Sequence, residues 1–141
     1  MPEPAAQYLT HYSLKEALID GVAPWQDMHM DLGDVKVYQD RYPVTQGHLL
    51  FVPERDAPGN IAEAFRMAYL MGEAMIRRGE CVAFNIGMNR NAEAGQTVLY
   101  PHVHLIPRRA GDSEDPVGGV RGVIPGQANY KKTGYKNPTD K

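Results

Sequence analysis

His102 and His104 sit one residue apart in the apolar run 98–106, directly after a turn of small and polar residues, Ala94-Gly95-Gln96-Thr97. Read as a strand, the run turns Val98, Tyr100, His102, His104 and Ile106 to one side and Leu99, Pro101, Val103 and Leu105 to the other. Neighbours on one side lie about 6.6–6.8 Å apart at the backbone, so both rings can act on one small ligand. Imidazole titrates near about pH 6.5, which makes it an unprotonated nucleophile or base at neutral pH with its conjugate acid within reach. Such a pair in a polar groove can attack phosphorus or carry protons. The preceding turn offers backbone donors, and the Gln96 amide and Thr97 hydroxyl add side-chain donors suited to phosphate oxygens.

A metal site is the rival chemistry. Two strand histidines at this spacing can reach one zinc ion at about 2.0–2.1 Å, and His48 is the best third ligand. Cys81 is the only thiol and falls within an apolar strand pattern, so no resident metal is expected. His11 and His29 read as hydrogen-bonded structural residues. Neither a Walker loop nor a dinucleotide-binding glycine pattern occurs, so a phosphate site here must be built differently.

The elements around the pair follow from periodicity. Ser13 and Glu16 have capping-box spacing before a short helix carrying Leu14, Ala17 and Leu18, and Gly21 and Pro24 stop it. Trp25, Met28 and Met30 are expected to cover the edge of the core. Residues 35–39 and 48–52 read as an antiparallel strand pair, joined by a Pro- and Gly-punctuated loop that brings Asp40 and His48 towards one end of the sheet. Asn60 and Glu63 mark the start of a long helix whose stripe runs through Ile61, Ala64, Phe65, Ala68, Gly72, Met75 and Ile76, and Gly79 caps it. Residues 81–88 form a further strand, followed by a hydrophilic link. The expected fold is α+β, an antiparallel sheet of about five strands with one long helix packed on it.

Composition sets the outer limits. A chain of 141 residues with 43% hydrophobic and 23% charged content is one ordinary globular domain. A net charge of −2 argues against binding a nucleic acid polymer. One cysteine rules out an intrachain disulfide and fits a cytoplasmic protein. The first residues lack a signal-peptide pattern, and the chain has no apolar run near 18 residues, so no membrane association is expected. Residues 1–12 are expected to be mobile. Residues 1–110 are expected to form the catalytic domain and 111–141 an extended Gly/Pro-rich tail packing on it or on a partner subunit. Within the tail, Gly118-Gly119-Val120-Arg121 reads as a flexible turn.

The segment 94–98, followed by Tyr100-Pro101-His102-Val103-His104-Leu105-Ile106-Pro107-Arg108, resembles the signature of the histidine triad (HIT) family. It is most similar to the fragile-histidine-triad and bacterial dinucleoside-polyphosphate hydrolase type. Asp40-Arg41-Tyr42-Pro43-Val44, Gly47-His48 and Val52-Pro53 resemble that family's first hairpin, and together the similarity covers about residues 35–109. The resemblance implies a homodimeric nucleotidyl hydrolase or transferase that attacks the α-phosphate of a nucleotide through a covalent nucleotidyl-histidine, with no cofactor and no obligatory metal. By position, His102 matches the nucleophile, His104 the third histidine that contacts phosphate or leaving group, and His48 the histidine that buttresses the nucleophile. Asp40 matches the ribose-hydroxyl acceptor, Asn89 a phosphate-side contact, and Gly95, Gln96 and Thr97 the loop that holds phosphate oxygens.

The first triad position, histidine in the family, is Tyr100 here. Tyr100 is expected among the nucleotide-binding residues, and its phenol cannot replace an imidazole as a proton carrier at neutral pH. That departure leaves a second reading, a HIT-like nucleotide-binding module with little catalysis.

Overall fold

The computed structural model describes residues 12–134, and most of the mobile start expected for residues 1–12 lies outside them. The described residues fall into two compact units that divide between Arg108 and Arg109. In the first, helix α1 (Leu14–Ile19) opens on the expected capping box: the Glu16 N–H donates to Ser13 Oγ and the Ser13 N–H to the Glu16 carboxylate, each at 3.2 Å. Strands β1 (Met28–Asp31), β2 (Val35–Gln39) and β3 (Leu49–Pro53) follow, then helix α2 (Pro58–Arg77) and strands β4 (Ala83–Met88) and β5 (Val103–Arg108). They make one antiparallel five-stranded sheet in the order β1-β2-β3-β5-β4, so β5 crosses back to lie between β3 and β4.

Strand alternation gives the sheet two cores. Val35, Val37, Leu49, Phe51, Val103 and Leu105 face α2, where Ala64, Ala68 and Met75 meet them. Phe51 and Leu105 are fully buried, each worth about 1.5–3 kcal/mol of apolar transfer. On the opposite face Tyr38, Leu50, Val52 and Tyr100 pack with Leu14 and Ala17 of α1 and with Ala23. At Gly72 a Cβ would lie 2.6–2.8 Å from the Phe84 ring, so α2 passes β4 at a distance only glycine permits.

Four details differ from the sequence pattern. Met28 and Met30 belong to a strand, β1, rather than to a cover over the core; all four of its residues are exposed, so no alternation betrays it. Helix α2 starts at Pro58 rather than at Asn60, since proline in the first turn has no N–H to leave unpaired. Asn60 instead donates to the Asp34 carbonyl and accepts from the Arg55 N–H, both at 2.8 Å, tying the β3–α2 connection to the turn after β1. The expected strand over residues 98–106 begins only at Val103, because Pro101 has no N–H to donate to the ladder. Cys81 is 5% exposed and belongs to the α2-side core, but it precedes β4 rather than lying in it.

In the second unit the chain forms a 3₁₀ turn (Gly119–Val123) and a short helix, α3 (Tyr130–Thr133). The Arg121 Nε–H donates to the Ala128 carbonyl at 3.1 Å and the guanidinium lies 5.7 Å from the Tyr130 ring centre. Gly118 sits at φ 91°, and a Cβ there would run into the Ala128 carbonyl. Neither short element has a buried residue.

Candidate functional site

β5 pairs His104 with Leu50 of β3 on one side and Gly87 of β4 on the other. Directly opposed residues share a face, so His104 stands on the Tyr38–Leu50 side of the sheet, away from α2. There, Asp40, Asn89, Gly95, Thr97, His102 and His104 line a cavity of about 400 Å³. Thus the sequence-derived residues from the β2–β3 loop, the β4–β5 link and the lead into β5 converge on one space.

Hydrogen bonds assign the ring protons. His102 Nδ1 lies 2.8 Å from the Tyr100 carbonyl, which can only accept, so Nδ1 carries the proton and Nε2 holds a lone pair. The Val44 N–H donates to His48 Nδ1 at 3.1 Å, so neutral His48 carries its proton on Nε2. That Nε2 lies 2.9 Å from His104 Nδ1, which leaves the His104 proton on Nε2. The Asp40 carboxylate is 3.4 Å from His48 Nε2 and 3.9 Å from His104 Nδ1, and its other oxygen accepts from the Tyr42 N–H.

Burial dominates the electrostatics. It lowers the pKa of all three rings, against an opposing pull from Asp40 on each. The Tyr100 carbonyl also opposes the shift at His102. His104, crowded by His102 and His48 as well, falls to about 4. At neutral pH the cluster is therefore a set of neutral rings with assigned donors and acceptors.

Three placements correct the sequence expectation. His48, 4% exposed, bonds to His104 rather than buttressing His102 directly. Gln96 does not offer its amide to the cavity: its oxygen accepts from the Asn91 N–H and its nitrogen donates to the Val98 and Leu99 carbonyls, at 2.8, 3.1 and 3.0 Å. It is 7% exposed and braces the loop, including Asn91, whose φ of 76° is unusual for a residue with a side chain. Tyr100, 2% exposed, turns its hydroxyl to the Pro53 carbonyl at 2.7 Å and does not line the cavity.

Sequence reasoning also missed participants. Trp25, expected as cover, lines the cavity with its ring centre 5.1 Å from that of His102, edge to face. Asp27, Arg41 and Tyr42 line it too. The clue was a lone tryptophan shortly before β2; Val44 acts through its backbone, which no sequence pattern marks.

A family model for the HIT domain matches residues 26–111. The chain belongs to the HIT family. It is 33% identical over 86 residues to the nitrilase and fragile histidine triad fusion protein NitFhit of Caenorhabditis elegans, covering 56% of this chain and 20% of that protein. It is 31% identical over 77 residues to the asymmetrical bis(5'-nucleosyl)-tetraphosphatase of Schizosaccharomyces pombe, covering 50% of this chain and 42% of that one. The HIT chain thus spans well under two thirds of either relative. Among solved structures it resembles a zinc-bound histidine triad family protein from Mycobacterium smegmatis, at TM-score 0.59 and 27% identity, covering 73% of this chain and 79% of that chain. No described helix is long and apolar enough to cross a membrane.

The zinc in that relative prompts a test of the donors here. Among the described residues Asp40, His48 and His104 bring one ligand atom each within 4.8 Å of the others. They do not suit a resident metal. With Val44 donating to Nδ1, His48 keeps its proton on Nε2, the atom a metal would need.

Proposed function

We propose that this HIT domain is a nucleotidyl hydrolase or transferase acting at the α-phosphate of a nucleotide substrate through a covalent nucleotidyl-His102. The observation that carries the reading is the bond from His102 Nδ1 to the Tyr100 carbonyl, which leaves the Nε2 lone pair free beside a cavity with phosphate-type donors. The bond from Nε2 to phosphorus forms as the bond to the leaving group breaks, and that group departs with its electron pair beside the His104 Nε2–H. Water then displaces His102, the lone pair returns to Nε2, and the water's proton passes to solvent. Splitting one displacement into two, with fixed donors at the phosphoryl oxygens, lowers both barriers.

In this reading Asp40 accepts from the ribose hydroxyls, while Asn89, Gly95 and Thr97 hold phosphate oxygens. Substrates are dinucleoside polyphosphates, nucleoside phosphoramidates or AMP esters, and the protein works as a cytoplasmic homodimer. The test is incubation with a panel of adenylated substrates, quenching, and mass analysis for an acid-labile adduct. An adduct on His102, absent in His102→Ala together with at least about 10³-fold lower turnover, is the expected result. Full activity in His102→Ala would overturn the mechanism, and tight AMP binding without turnover of any substrate would replace it with a binding role.

A further inference from the structure

We infer that Tyr100 is a positioning residue for His102: its phenol, latched onto β3, fixes the carbonyl that holds the ring in the tautomer able to attack. The inference rests on His102 being the nucleophile. Ladder pairing of β5 begins at Val103, and Pro101 brings no N–H, so the sheet does not hold residue 100 in place. Two side chains do. Gln96 grips the carbonyls of Val98 and Leu99, and the Tyr100 hydroxyl reaches 47 residues back to the Pro53 carbonyl at the end of β3, at 2.7 Å.

The ring between these points is 2% exposed and packed with Leu14 and Ala17 of α1 and with Leu50 and Val52 of β3. Its own carbonyl is the acceptor 2.8 Å from His102 Nδ1. In water a neutral histidine ring favours the opposite tautomer, with the proton on Nε2. A carbonyl that drifts therefore moves the lone pair to Nδ1, facing the backbone. Burial, with Asp56 and Glu54 nearby, raises the phenol pKa, so Tyr100 stays a donor throughout the working pH range. One side chain thus couples the packing of α1 to the orientation of the reacting ring without touching substrate.

Tyr100→Phe keeps the ring and removes the latch. ¹⁵N NMR of the histidine rings is expected to show one Nδ1–H tautomer at His102 in the wild type and a mixture in the variant. Turnover should fall about ten-fold through kcat, with KM within two-fold, because misorientation affects attack more than nucleotide binding. An Nδ1–H tautomer and kcat unchanged in folded Tyr100→Phe would reduce Tyr100 to a packing residue and overturn the inference. If the wild type forms no adduct, the proposed function fails, while the tautomer comparison still decides what the phenol does.

Discussion

His48 Nε2 donates to His104 Nδ1 across 2.9 Å, joining two residues 56 positions apart in the chain. With Val44 fixing the far side of His48, the pair aims one remaining proton, on His104 Nε2, at the cavity. Replacing His104 with Ala removes this hydrogen-bond donor to the charge on the leaving group and is expected to lower kcat about 10²–10³-fold, most for substrates with basic leaving groups. Measuring kcat across leaving groups of graded basicity checks this; an equal loss for all of them would remove the His104 proton from the mechanism.

The pH dependence follows from the direction of the shifts. Burial holds His48, His102 and His104 neutral below the usual imidazole range, so the acid limb of activity should lie below pH 6.5. In the unfolded chain the same rings bind protons from about pH 6.5 downwards, while the folded protein resists doing so. Stability is therefore complete above that value and declines as pH falls from 6.5 towards the value of about 4 for His104. Thermal melts from pH 7 to 4 should show the decline, and His104→Asn should flatten it. Parallel profiles for the two proteins would contradict the assignment.

Gln96→Ala should destabilise the fold by about 1–3 kcal/mol, since it strands one part-buried N–H and two part-buried carbonyls. Nucleotide affinity should fall too, because the loop holding Gly95 and Thr97 loses its brace. Denaturant unfolding and AMP titration measure the two effects. If affinity alone drops and stability does not, Gln96 contacts the nucleotide after all.

Charge around the cavity predicts which nucleotides bind. Asp27 and Asp40 face one cation, Arg41, among the described lining residues, and the histidines are neutral at pH 7. Affinity should change less than about three-fold from AMP to ADP to ATP, because added phosphates meet no added cation. Asp27→Asn should favour ATP over AMP. Calorimetric titration would refute this arrangement by showing ten-fold tightening from AMP to ATP.

Gly72→Ala should cost about 1–3 kcal/mol, as the new methyl must displace the Phe84 ring and push α2 from β4. The cavity lies on the other face of the sheet. Turnover at a temperature well below the melt should stay near wild type, and a large loss of turnover there would mean the two faces are mechanically coupled.

Some of this was legible in residue order and some was not, for physical reasons. Alternating apolar residues marked β2 where it forms, and the Ser13 box and the left-handed Gly79 that follows the Arg78 C-cap act locally, so local spacing sufficed. β1 escaped because an exposed edge strand has no buried face to write a period. At the site, the proximity of His102 and His104 was readable from one strand. The partner of His48 was not, since it depends on which strand lands beside β3. Gln96 shows the commonest ambiguity: a donor in a turn can serve a ligand or the turn itself, and only burial distinguishes them.

The pairing of Leu50 with His104 has a kinetic meaning as well. Residues 48–53 and 103–108 are separated in the chain by the helix and β4, so the histidine cluster is built on a long-range pairing that must close a large loop. A chain with β3 and α2 formed but β5 undocked would already bury much of its apolar surface and yet possess no assembled chemistry. Because side chains alternate, docking β5 one residue out of step would turn His104 towards the helix-side core and leave His48 without its ring partner. The His48–His104 bond thus depends on the native β3–β5 register, and activity reports that alignment.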